Sequence, residues 1–359
     1  TAVPSAPTAL AFSGGVRAGE GLLGVALGRD VRLAGRDDLR SCGTVALALP
    51  KGCSAAGALA FSPDGGALAV VPLAGQGLAA EVQLYTTDGE KSKPVVTKLK
   101  QAVSAIDFLD SGDLVLAAGA ELWRISPTSG SAAELRGSDG GSFRACEAVG
   151  PHEVMTLTDK AVELWDVRRP GVAGRLAAPC ELAVLCAGAF RGSSVAFAAD
   201  AQGGLHRLDW RGGGGPQCEL LWRPATERAT RPRGLLVERG CACVAAGGAL
   251  TLLAVEPAVV ELGRADVGEQ AGSTVTALAS SPGAWALGVE TSSKQGASYS
   301  VFVVDSNGDS VFNEARREAS LAAAQRAEHQ KKLKDNKKKE QQGKKPSSGK
   351  SAHGRNSGR

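Results

Sequence analysis

The sequence predicts an all-β fold, a single seven-bladed β-propeller followed by a basic C-terminal tail. Three observations predict it. A short apolar segment recurs seven times at roughly forty-residue intervals, a strand–turn–strand pattern precedes each recurrence, and the composition changes abruptly at Glu314. The expected organisation is a propeller over residues 1–313, a basic helical extension over 314–342 and a disordered basic tail over 343–359.

The recurrence is clearest where VELWDV (Val162–Val167) repeats AELWRI (Ala120–Ile125), with Trp165 standing 42 residues after Trp123. The same place is taken by Ala34 in DVRLAG, Tyr85 in EVQLYTT, Leu208 in GLHRLDW, Leu253 in ALTLLAVE and Val304 in SVFVVD. The separations are 51, 38, 42, 43, 45 and 51 residues. An acid follows directly in three copies, as Asp166, Asp209 and Asp305.

Ahead of each copy lies an apolar run, a turn and a second apolar run. In ALAFSPDGGALAVV (58–71), Pro63, Asp64 and Gly65 supply turn chemistry between two alternating segments. Strand, turn, strand, short loop, strand and a variable fourth segment make one four-stranded propeller blade, and 40–45 residues is the usual spacing of such blades. The apolar positions Leu59, Phe61, Leu84, Ile106, Leu122, Leu164, Leu208, Leu252 and Val303 are expected to be buried. Helical repeats would need apolar residues at three-and-four spacing, and a doubly wound α/β sheet would need helices where the gaps here hold Gly, Ser, Pro and Asp. The ring must be completed by one chain end, either 1–7 or 309–312 adding the last outer strand.

Taken together, FSPDG (61–65), LWD (164–166) and the sevenfold period resemble the WD-repeat family over roughly 8–309. The Gly-His pair common in that family is missing, and only one complete Trp-Asp is present, so the propeller is a degenerate one. The resemblance implies structural blade roles for Tyr85, Trp123, Trp165, Asp166, Leu208 and Asp209, with Asp159 and Asp166 capping turns. It also implies a non-enzymatic platform for macromolecular partners.

At 43% apolar and 22% charged, the chain can bury a sizeable core. Its eight cysteines, at 42, 53, 146, 180, 186, 218, 241 and 243, form no CxxC pair or zinc ribbon, and no metal or cofactor is expected. Cys241 and Cys243 would share one face of a strand as small buried hydrophobes. No secretory leader and no apolar stretch of about 18 residues is visible. Reduced thiols and a cytoplasmic or nuclear location are expected, although a start at Thr1 rather than Met leaves a removed leader open.

Catalysis needs convergent titratable groups. Only His152 and His206 fall within the propeller, and each reads as structural. GGGG (212–215) lacks the following Lys-Ser or Lys-Thr of a phosphate loop and reads as a flexible connection. No catalytic residue is assigned.

From Glu314 to Arg359 there are 14 Lys or Arg and 5 Asp or Glu, a net charge of +9 that leaves −5 for the rest. The first part of this segment, without Gly or Pro and rich in Ala, Lys, Gln and Glu, has helical propensity. Its large apolar residues are only Leu321 and Leu333, too few for a wide apolar stripe. The leading reading of Lys331, Lys332, Lys334, Lys337, Lys338, Lys339, Lys344 and Lys345 is phosphate contact with RNA or a ribonucleoprotein. A nuclear-import signal and a merely solvated extension are the alternatives. The expected function is a scaffold whose propeller holds protein partners while its tail reaches RNA, a ribosome or a neighbouring subunit; no homo-oligomer is expected. Other readings are a trafficking or cytoskeletal adaptor whose tail meets acidic lipid or tubulin, and a propeller enzyme.

Overall fold

A computed structural model describes residues 2–3, 7–13, 21–35, 45–49, 53–74, 80–87, 95–99, 101–137, 141–186, 195–210, 215–225, 231–238, 240–255, 259–266, 273–281, 284–293 and 296–305. The regular structure among them is β-strand throughout, arranged as seven four-stranded antiparallel sheets. The propeller predicted from the repeat is the fold observed. No helix among the described residues is long and apolar enough to cross a membrane.

Blades 1 to 6 occupy residues 7–48, 53–99, 103–137, 143–177, 182–222 and 232–266, each with its strands hydrogen-bonded in chain order. Blade 7 takes its first three strands from Ser273–Ser281, Ala284–Ser293 and Gly296–Asp305, and its outer strand from Ala2–Val3. Ala2 pairs with Ser300 and Val3 with Tyr299. The N-terminal end therefore supplies the closing strand that the sequence left open between two candidates; residues 309–312 lie outside the described residues.

The first strand of every blade packs against the first strand of the next, and that of blade 7 against that of blade 1, so these strands line the axis. Between consecutive blades lies one apolar cluster, seven in all among the described residues. The last of them joins Leu10, Leu23 and Val25 of blade 1 to Ala277, Ala286 and Val301 of blade 7. A lone four-stranded sheet would expose both apolar faces. Stacking it against two neighbours removes both from water, at roughly 25 cal/mol for each Å² of apolar area.

Strand alternation distributes the side chains. On the third strand of blade 2, Leu84 packs toward blade 3 and Tyr85 toward blade 1. Of the positions expected to be buried, Leu59, Phe61, Leu84, Ile106, Leu122 and Leu208 are buried, with Leu122 and Leu208 at 0% exposure. Leu164 and Leu252 are half-buried against the cores between blades 4 and 5 and between blades 6 and 7. Val303 lies outside the residues whose side chains are described.

Two backbone devices recur with the blades. Near the start of every inner strand the register slips by one residue, as between Phe143 and Ala145 or Leu182 and Val184. Such bulges raise the local twist and re-aim the flanking side chains. The turn between the second and third strands opens with a positive-φ glycine in blades 1, 3 and 6: Gly28 at 56°, Gly119 at 58° and Gly247 at 60°. Tight two-residue hairpin turns favour this conformation, which glycine adopts without strain.

Candidate functional site

Those same glycines join neighbouring blades. The carbonyl of Gly28 accepts from Ala56 N–H at 3.0 Å, that of Gly119 from Phe143 N–H at 2.6 Å and that of Gly247 from Val275 N–H at 3.0 Å. In each case a second-to-third-strand turn is tied to the inner strand of the next blade. Side chains extend the ties: Asp107 Oδ2 in blade 3 accepts from Ala148 N–H in blade 4 at 2.8 Å.

The repeat positions singled out in the sequence lie on the third strands of their blades. Tyr85, Trp165 and Leu208 are 2%, 1% and 0% exposed. Trp165 Nε1 donates to Thr156 Oγ1 at 2.9 Å and meets Phe143 edge-on with ring centroids 6.0 Å apart. Trp123 is half-buried, and its Nε1 donates to Glu121 at 3.1 Å. Asp166 caps the following turn, accepting from the backbone and guanidinium of Arg168, which hold its carboxyl well below the usual carboxylate range. Asp209 meets Arg207 at 3.3 Å. Asp159 pairs with Arg144, which also reaches Glu181 at 2.9 Å; Glu181 in turn meets Arg231 at 3.2 Å. This chain of charges runs across blades 4, 5 and 6 on the face where their inner strands begin. The tail lysines from Lys331 to Lys345 lie outside the described residues.

No protein-family model and no curated protein sequence matches the chain. Among solved structures, it is similar to a chain of the "Crystal Structure of Mitotic Checkpoint Complex", with a TM-score of 0.62 and 14% identity over 84% of this chain and 90% of that one. The likeness is one of fold.

One cluster of polar side chains has no counterpart among the sequence motifs. In blade 5, Cys180 lies in the loop before the inner strand Leu182–Cys186, Asp200 ends the second strand Val195–Asp200, and His206 sits on the third strand Leu205–Asp209. His206 Nε2 is 2.9 Å from Asp200 Oδ2 and 3.6 Å from Cys180 Sγ, which is 4.0 Å from the same carboxylate oxygen. Asp200 and His206 are 2% and 3% exposed, and Cys180 is half-buried. Asp200 Oδ1 is occupied elsewhere, accepting from Gln202 N–H and Gly204 N–H at 2.8 Å each. Those bonds fix the carboxylate and turn Oδ2 toward the histidine. On the other edge of the ring, Nδ1 is 3.6 Å from Cys218 Sγ of the outer strand.

The cluster has two possible chemistries. A nucleophilic relay would need an activated thiol, with its pKa depressed by a cationic neighbour. Here burial, with some help from Asp200, raises the pKa of Cys180, and burial and Cys180 push that of Cys218 up to about 11. Moreover Cys180 and Asp200 share one ring nitrogen, whereas a relay needs them on opposite nitrogens. Thiol, carboxylate and imidazole converging on one point instead make up a donor set for a metal ion. No motif marks the cluster, because the donors are 20 and 6 residues apart and only folding of the blade brings them together.

Proposed function

We propose that this protein is a non-enzymatic interaction scaffold, its propeller holding protein partners within a larger assembly and its basic tail contacting RNA or a ribonucleoprotein. The observation that carries the reading is where the propeller places its polar side chains. Asp107, Thr156, Asp166 and the Arg144–Glu181 pair join strand to strand, cap turns or tie one blade to the next. Groups used in this way stiffen a ring and present its faces and rim to partners.

The charge distribution supports a division of labour. Residues 1–313 carry −5 and 314–359 carry +9, so an RNA backbone is repelled by one part of the chain and attracted by the other. The tail has no aromatic residue, so its contact with RNA is electrostatic and tolerant of sequence. The test is a titration of single-stranded RNA into the full chain and into residues 1–313 at several salt concentrations. The full chain binds with log K falling by about 0.7 per phosphate contacted for each unit of log salt. The shorter form loses most of the affinity. Equal binding by both forms overturns the role given to the tail.

A further inference from the structure

We propose that Cys180, Asp200 and His206 form a binding site for a zinc-class divalent cation in blade 5, at its packed face with blade 4. The inference stands apart from the scaffold reading, since it rests on these side chains alone.

Zinc binds Cys sulfur at about 2.3 Å and His nitrogen or carboxylate oxygen at about 2.0 Å, which at tetrahedral angles sets donor atoms about 3.3 to 3.5 Å apart. The three separations here are 2.9, 3.6 and 4.0 Å. They bracket that range, and side-chain rotations of a few tenths of an ångström bring all three donors onto one ion.

In metal sites the groups around the donors fix the orientation of each ligand. Asp200 is already anchored through Oδ1 by two backbone N–H groups, leaving Oδ2 to coordinate. For His206 Nε2 to coordinate, its proton must reside on Nδ1, and there Cys218 Sγ stands 3.6 Å away as a weak acceptor. Position 204 leaves room for that oxygen only as glycine, because a Cβ there would lie 2.6 Å from Asp200 Oδ2.

Thiolate, imidazole and carboxylate together suit zinc or cobalt rather than calcium or magnesium, which favour oxygen alone. Three protein donors leave a fourth position for water. Arg223, whose guanidinium is 3.8 Å from Asp200 Oδ2, is the one positive group within reach among the described residues. Its side chain is 55% exposed, so it can turn outward when the ion enters. The bound ion joins the loop entering blade 5 to that blade's second and third strands.

Cobalt(II) is the probe, because a thiolate ligand gives it a charge-transfer absorption that oxygen and nitrogen ligands do not. Full-length protein, stripped with chelator, is expected to bind one Co²⁺ per chain with that absorption, and Zn²⁺ is expected to displace it. Cys180→Ser abolishes the absorption and weakens binding on the order of 100-fold or more, since loss of a supporting group alone costs 10–100-fold. Cys218→Ser keeps the absorption. In the wild-type protein, Zn²⁺ slows alkylation of Cys180 as read by peptide mapping, a measurement that does not depend on any variant folding. A wild-type protein without the thiolate absorption, an absorption unchanged in Cys180→Ser, or alkylation of Cys180 indifferent to zinc would each overturn the site.

Discussion

Trp165 on the third strand of blade 4 donates its indole N–H to Thr156 Oγ1 on the second strand at 2.9 Å, with both residues at most 1% exposed. The one complete Trp-Asp in the sequence thus sits in a buried polar contact. The ring of Trp165 meanwhile fills the space between blades 3 and 4, against Leu122, Phe143 and Val154.

Thr156→Val keeps the shape of the side chain and removes the acceptor, leaving a buried indole N–H without a partner. Urea unfolding is expected to show a loss of about 1–3 kcal/mol. Adding Trp165→Phe removes the orphaned donor as well, so the double variant should be more stable than the sum of the two single losses. Strict additivity would show that the contact carries no coupling.

Gly248→Ala tests how closely blades 6 and 7 approach. A Cβ at Gly248 would stand 2.2 Å from the backbone carbonyl oxygen of Ser273, which opens the inner strand of blade 7. The blades must part to admit it, at an expected cost of about 1–3 kcal/mol or more. Gly112→Ala is the comparison: its Cβ meets nothing within 4 Å, and its φ of +84° adds only backbone strain of about 1–2 kcal/mol. Thermal unfolding should therefore rank Gly248→Ala as the more damaging change.

Cys243 carries a pH prediction. It is 2% exposed, and burial pushes its thiol from the ordinary value of 9.0 up to about 12. In the unfolded chain the thiol ionises above pH 9 while the folded chain keeps its proton, so unfolding releases protons and stability falls as pH rises from about 9 to 12. The loss is about 1.4 kcal/mol for each pH unit in that window. Cys243→Val has no such proton to lose. Relative to wild type, it should gain about 1 kcal/mol between pH 8 and pH 10 in urea unfolding. An unchanged difference would contradict the burial of the thiol.

The residues that revealed the fold are those whose chemistry is dictated locally. Pro63, Asp64 and Gly65 make the turn expected of them, with Ser62 Oγ donating to Asp64 at 2.5 Å and Gly65 at a φ of +72°. The alternation that exposed the repeat also hid a shift within it. Trp165 is the fifth residue after the turn in its strand, but Trp123 is only the third, and Ile125 takes the fully buried place in blade 3. A two-residue shift preserves the face, so periodicity could not detect it. Outer strands were the least legible. Val172–Ala177 and Gln217–Trp222 are largely exposed and need no apolar alternation. The bulge shared by all seven inner strands has no sequence signature, since the extra residue is Thr8, Ser54, Ser104, Arg144, Ala183, Arg233 or Thr276, of no common type. The Cys180–Asp200–His206 cluster escaped for a related reason, since its members come from a loop and two strands.

The division of roles between propeller and tail is tested most directly by an affinity pull-down with the full chain and with residues 1–313, each with and without nuclease. The predicted result is that protein partners are retained by both forms and survive nuclease, while RNA and nuclease-sensitive partners come down only with the full chain. Recovery of the same RNA with residues 1–313, or loss of every protein partner on removing 314–359, would contradict it.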